Sequence, residues 1–217
     1  MIFIQMRIAD KFILTTWGRM HTPTQRRQGI IMRMNKIGYF AEFLLFPPLV
    51  LVATFLAFSG STPPQPFIWA IVYCIGLVGW TLIEYLLHRA LFHHAPILAR
   101  MHERHHHSPQ ELLGTPVWAS VLIALIAVAV PFVATLGFGL GTAATGGMAT
   151  GYLCYVFVHH TTHHWRPRRG SYLYRARLRH ARHHHLSQAG NFGVTTDIWD
   201  RIFGTALDGY VPAPRAN

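Results

Sequence analysis

Polar residues along this chain fall into bands separated by long apolar stretches. Residues 37–58, IGYFAEFLLFPPLVLVATFLAF, carry one charge, Glu42, near one end. Residues 67–83 carry none, and that apolar run continues through Glu84 to Leu87. Residues 116–158 are 43 consecutive positions without a charged side chain. A bilayer's hydrocarbon layer, about 30 Å thick, takes roughly 20 helical residues to cross. The first two stretches therefore predict one transmembrane helix each. The third is long enough for two, and its Gly-rich piece LGFGLGT at 136–142 is the natural turn. The pattern predicts four spans in two hairpins. Kinks are expected at Pro47, Pro48 and Pro131, each of which removes a backbone donor.

Charge orients these spans. Of 19 Lys and Arg, seven lie in residues 1–36, three between 89 and 115, and nine after 158. The loop SGSTPPQP and the Gly-rich turn have none. The positive-inside rule then puts both termini and the 89–115 loop in the cytoplasm, with the short uncharged loops outside. The expected location is a bacterial inner membrane. A net charge of +11 would suit nucleic acid, but only 12% of residues are charged, half the share of a soluble domain. No nucleic-acid partner is expected. A basic segment, 1–36, precedes a membrane domain, 37–217. MIFIQMRIAD lacks the flanks of a cleaved signal peptide; it reads either as an interfacial segment or as lying upstream of a start at Met32 or Met34, the second being preferred. Cys74 and Cys154 both sit inside apolar runs and read as small buried hydrophobes, not a disulfide.

The candidate chemistry is histidine. There are 16, and only His21 stands outside four groups. They are His88, His93 and His94; His102, His105, His106 and His107; His159, His160, His163 and His164; and His180, His183, His184 and His185. On the predicted topology every group lies at or just beyond the cytoplasmic end of a span. His102, His105 and His106 have i, i+3, i+4 spacing and share a helical face, as do His180, His183 and His184. His159 and His163 are i, i+4. His88 and His93 are five apart, so the helix has to end or bend between them. Neutral imidazole suits iron and zinc. HxxxxH, HxxHH, HxxxH and HxxHH together offer ten ligands, too many for one ion and sensible for two. His94, His107, His160, His164 and His185 are either outer partners or exposed. A metal transporter is the alternative from another class, but its ionisable residues belong near the bilayer midplane, where these helices have none.

The motifs IEYLLHRALFH (83–93), MHERHH (101–106), YVFVHHTTHH (155–164), RHARHH (179–184) and NFGVTTDIWDRIFGT (191–205) resemble the fatty acid hydroxylase / sterol desaturase superfamily of membrane di-iron oxygenases. The resemblance runs from about residue 80 to 207 and looks most like the fatty acid 2-hydroxylase branch. It implies an all-α polytopic membrane protein whose four helices anchor a cytoplasmic helical cap. Carried over by position, the metal ligands are His88, His93, His102, His105, His106, His159, His163, His180, His183 and His184. His160 and His164 keep the same spacing as His159 and His163, so an alternative register exists there. The implied cofactor is two iron ions, for which zinc can substitute in preparations. The implied reaction is hydroxylation of a lipid acyl chain by O2, with sterol or carotenoid hydroxylation or desaturation as the alternative. Family members of animals and fungi usually carry a haem domain for electron delivery. This chain has no room for one, so either a separate electron-transfer protein and reductase serve as partners, which is the expectation, or the substrate differs. Glu84, four residues before His88, and Asp197 and Asp200 are candidates to orient ring N–H groups.

Overall fold

The computed structural model describes residues 34–186 and 189–207. The expectations about the first residues and the true start lie outside the described residues. Helix α1 (Lys36–Ser59) begins where the Asn35 side chain accepts the Gly38 N–H at 2.7 Å, satisfying one of the donors a helix start leaves open. It runs through Pro47 and Pro48. Helix α2 (Pro66–Leu86) starts on a proline, whose missing N–H costs nothing in the first turn, and passes into a π-turn at Leu87–Phe92. Helix α3 (Pro96–His107) repeats the N-terminal proline. Then come α4 (Val117–Ile123), a second π-turn at Ala124–Ala129, and α5 (Val130–His164), with Pro131 in its first turn. Helices α6 (Tyr172–His185) and α7 (Ile198–Ile202) complete the chain. Among the described residues there is no strand.

Three stretches are long and apolar enough to cross a membrane: Lys36–Ser59, Pro66–Phe92 and Val117–His164. The last, of 48 residues, is not one straight rod. Gly137 has φ 74°, a left-handed value that favours glycine, and breaks α5 there. The chain doubles back, so that a Cβ on Gly141 would stand 2.6 Å from the Cα of Val133. Further from the turn, the Ser120 and Tyr152 hydroxyls face each other at 3.4 Å. The loop before α2 reaches the same end, with Pro64 against Gly139. Every histidine group lies at the opposite end.

The interior inverts the usual distribution. Leu44, Leu51, Phe55, Phe67, Ile75 and Leu125 are exposed, whereas Glu42, Glu84, His88, Thr161, His180 and Asp200 are buried. Lipid is a solvent for apolar side chains, so outward leucines cost nothing and polar groups turn inward. Cys74 and Cys154 are free and on this outer surface, which corrects the expectation that they are buried. Without a hydrophobic force between helices, small residues let backbones approach. In α5, Gly147 and Gly151 form such a pair against α2. A side chain on Gly147 would overlap the Tyr73 carbonyl.

Candidate metal centre

Four elements converge at the histidine end. His88, His93, His102, His106 and His183 form one set, and His105, His159, His163 and His180 a second, with ring nitrogens of each set within 4.8 Å of one another. His184 adjoins the second set, its Nε2 3.1 Å from that of His180, and stacks on His106 at 4.1 Å. The ten histidines singled out by spacing are therefore one continuous array. The local folding explains the grouping. A π-turn bonds residue i to i+5, so residues five apart come to nearly one face, and Leu87–Phe92 carries His88 and His93 into one set. On α3, positions i+3 and i+4 straddle position i by about −60° and +40° at 3.6 residues per turn. His105 thus leaves for the second set while His106 stays with His102. Helix α6 splits likewise, sending His183 to the first set and His180 to the second.

Within the sets the Nε2 atoms are spaced like ligands. His88 lies 3.0 Å from His102 and 2.9 Å from His183, and His106 lies 2.9 Å from His102. In the second set His105–His159, His159–His163 and His163–His180 are 3.0, 3.2 and 2.8 Å. Nitrogens each about 2.1 Å from one ion stand about 3.0 Å apart at a right angle. Hydrogen bonds do not account for the first set. The His88 Nδ1 is 2.6 Å from the Phe192 carbonyl and the His183 Nδ1 2.8 Å from the Gly190 carbonyl. A carbonyl only accepts, so both Nδ1 atoms carry the proton and both Nε2 atoms present lone pairs. Two lone pairs facing at 2.9 Å repel unless a cation lies between them. The residues present fit a bound metal.

The same burial keeps the rings ready for it. Burial, reinforced by neighbouring imidazoles, holds His102, His105, His180 and His184 far below the ordinary histidine value. Burial likewise pushes His106 down to about 3 and His183 to about 4. Metal binding needs neutral imidazole, and the site keeps its rings neutral near pH 7.

The carboxylates act one step away. Glu84 accepts the Val194 and Thr195 N–H groups at 2.6 and 2.9 Å and the Thr195 hydroxyl at 2.7 Å. Asp200, fully buried, accepts the Phe192 and Gly193 N–H groups and the Thr205 hydroxyl. Both acids hold the 190–195 loop, and that loop's carbonyls hold His88 and His183. Asp197 pairs instead with Arg201 at 2.8 Å. The sequence does not reveal these carbonyls, because backbone acceptors leave no residue-type signal; NFGVTT stands out only as a block without ligand spacing. Of the surplus histidines, His94, His107, His164 and His185 are exposed. His160 stacks on His164 at 4.3 Å, outside both sets, and meets the Tyr39 hydroxyl at 3.2 Å.

A histidine-lined centre that could hold metal, capping apolar helices, defines a class of membrane protein. The family described as fatty acid hydroxylase matches residues 73–205, and the chain belongs to it. Fatty acid 2-hydroxylase of Macaca fascicularis is 36% identical over 148 residues, 63% of this chain and 39% of that protein. The Rattus norvegicus protein of that name is 30% identical over 86% of this chain and 59% of its own length. A dihydroceramide fatty acyl 2-hydroxylase of Arabidopsis thaliana is 30% identical over 73% of this chain and 69% of that protein. This chain thus spans about two- to three-fifths of its mammalian relatives. The solved hydroxylase domain of full-length scs7p superposes with a TM-score of 0.68 at 26% identity, covering 82% of this chain and 73% of that one.

Proposed function

We propose that this protein is a membrane-bound non-haem di-iron oxygenase that hydroxylates a lipid acyl chain, of a fatty acid or sphingolipid-like lipid. Position 2, which the relatives' names give, is the carbon we assign. The observation that carries this reading is the pair of histidine sets at ligand spacing, with lone pairs held face to face at 2.9 Å. His88, His93, His102, His106 and His183 would hold one iron, and His105, His159, His163 and His180 with His184 the other. Bound there, the irons would supply O2 activation, with electrons from a separate transfer protein and reductase. The protein's own part is to orient. The Phe192 and Gly190 carbonyls fix two rings by their N–H groups, and Glu84 and Asp200 fix the loop that carries those carbonyls.

Substrate class follows from position. An apolar groove of about 600 Å³ runs along α2, lined by Phe67, Ile71, Ile75, Val78, Leu82 and Trp199. Its Leu82 end lies six residues before His88 on the same helical stretch, and an alkyl chain lying in it stays in apolar surroundings. We read the fold as four spans carrying a cap of α3, α6 and α7, with both termini and the metal centre in the cytoplasm. The iron-loaded protein should be inactive with O2 alone and turn over once reductase and electron carrier are added. Isotopically labelled O2 should then appear as one hydroxyl oxygen in the lipid. Label arriving from water, or turnover with zinc as the only metal, would overturn the reading.

A further inference from the structure

Glu42 is a carboxylate inside an apolar span, and the metal centre makes no use of it. It is 5% exposed and accepts two hydrogen bonds of 2.6 Å, from the Ser120 and Tyr152 hydroxyls. Neither donor is a cation. An ionisable group within a span is expensive, and its partner points to its role. Here the telling partner is a phenol. A phenol loses an electron readily only if its proton leaves too, because the radical cation is a strong acid. A carboxylate already bonded to that hydroxyl takes the proton with almost no movement of heavy atoms.

A second observation connects this pair to the histidines. Tyr152, Tyr155 and His159 follow at spacings of three and four along α5 and share one face. Tyr152 and Tyr155 have ring centres 6.4 Å apart, and Tyr155 stacks on His159 at 5.6 Å with planes 15° apart. Trp80 of α2 lies beside them, 5.2 Å from Tyr152 and 6.4 Å from Tyr155. The Trp80 indole N–H is buried without an acceptor, so this ring has nowhere to send a proton. Tyr152 does.

We propose that Tyr152 and Glu42 form a proton-coupled redox site that drains one-electron oxidising equivalents from the metal centre when no substrate C–H bond is within reach. In the step the Tyr152 O–H bond breaks and the proton moves to Oε2 of Glu42, which becomes a neutral acid. The electron would pass through Tyr155 and His159 toward the irons that the two histidine sets would hold, where O2 is the oxidant that takes it up. Tyr152 is left as a neutral phenoxyl radical. One electron from the external reductant, with the proton returned by Glu42, restores both groups. The histidines are thereby spared oxidation. This inference rests on the oxygenase reading.

The test uses iron-loaded protein in lipid nanodiscs, reduced, mixed with O2 without substrate, freeze-quenched and read by electron paramagnetic resonance. The wild type should show a tyrosyl radical that is absent in Tyr152→Phe. In Glu42→Gln, where the amide keeps the hydrogen bond but does not take the proton, it should be several-fold weaker. With substrate, both variants should keep the initial rate but lose several-fold in total turnovers before inactivation. Should Tyr152→Phe fail to fold, Glu42→Gln carries both readouts. A hydroxylating wild type without a tyrosyl radical, or variants with unchanged radical and turnover number, would overturn the redox site alone. A wild type that makes no hydroxylated lipid overturns the oxygenase reading and this inference with it.

Discussion

An imidazole has two nitrogens, and its role depends on which one is held. Sequence spacing singles out the ten histidines that gather here, because i, i+3 and i+4 placements on helices are local geometry. It does not show what fixes each ring, because the partners found for His88 and His183 are backbone carbonyls, of Phe192 and Gly190. Glu84 shares a helical face with His88, yet its oxygens reach Val194 and Thr195. Asp200 looks from sequence like a partner for an imidazole, yet it gathers two backbone N–H groups at 2.9 and 2.8 Å. Asp200→Asn gives that loop one acceptor oxygen and a clashing donor, so the Phe192 carbonyl drifts from His88. Metal affinity at the first set should weaken roughly 10- to 100-fold, while the second set keeps its ion. Metal analysis after dialysis against a chelator should find bound metal falling by about half. Equal loss from both sets, or none, would show that the loop does not govern His88 and His183.

At the scale of elements, the same spacing is legible in kind and not in partition. HxxHH reads as one face, but the helix lies between two sets and its i+3 and i+4 positions diverge to either side. HxxxxH does not fit an α-helix, and the chain resolves it by a π-turn at Leu87–Phe92 rather than by ending there. No residue type announces that turn, which brings both histidines into one set. The packing of α2 against α5 depends on glycine. A side chain on Gly147 would overlap the Tyr73 carbonyl, whereas one on Gly79 would meet only the Met148 sulfur at 3.8 Å. Gly147→Val should destabilise by about 1–3 kcal/mol, the usual cost of overpacking, and should disturb His159 and His163 on the same helix. Gly79→Val should be nearly neutral. Thermal unfolding of both variants in detergent checks the contrast, and equal melting temperatures would mean that α2 and α5 adjust freely.

For the whole molecule, the legible part is the alternation of apolar bands with basic ones, since a bilayer imposes it over tens of residues. The doubling back of Val117–His164 is legible too, because Gly137 occupies a backbone conformation that glycine adopts without strain. Less legible is the inward polar network of Glu42, Ser120 and Tyr152, scattered over three helices that only the fold brings together. The arrangement has a consequence for sidedness. The loop at Pro64 and the turn at Gly139 touch at one end, and all the histidine groups lie at the other. All 19 Lys and Arg lie outside the two turns at the first end, and cytoplasmic loops are where such residues collect. Reporter fusions after Thr62, Gln110, Gly139 and Asn217 should therefore read outside, inside, outside and inside. The Gly139 fusion is the decisive one. Read on the outside, it requires the third stretch to cross twice and gives four spans. Read on the inside, it would leave α4 and α5 a re-entrant hairpin, and an outward C-terminus would carry α6 and its three metal-facing histidines away from any cytoplasmic reductant.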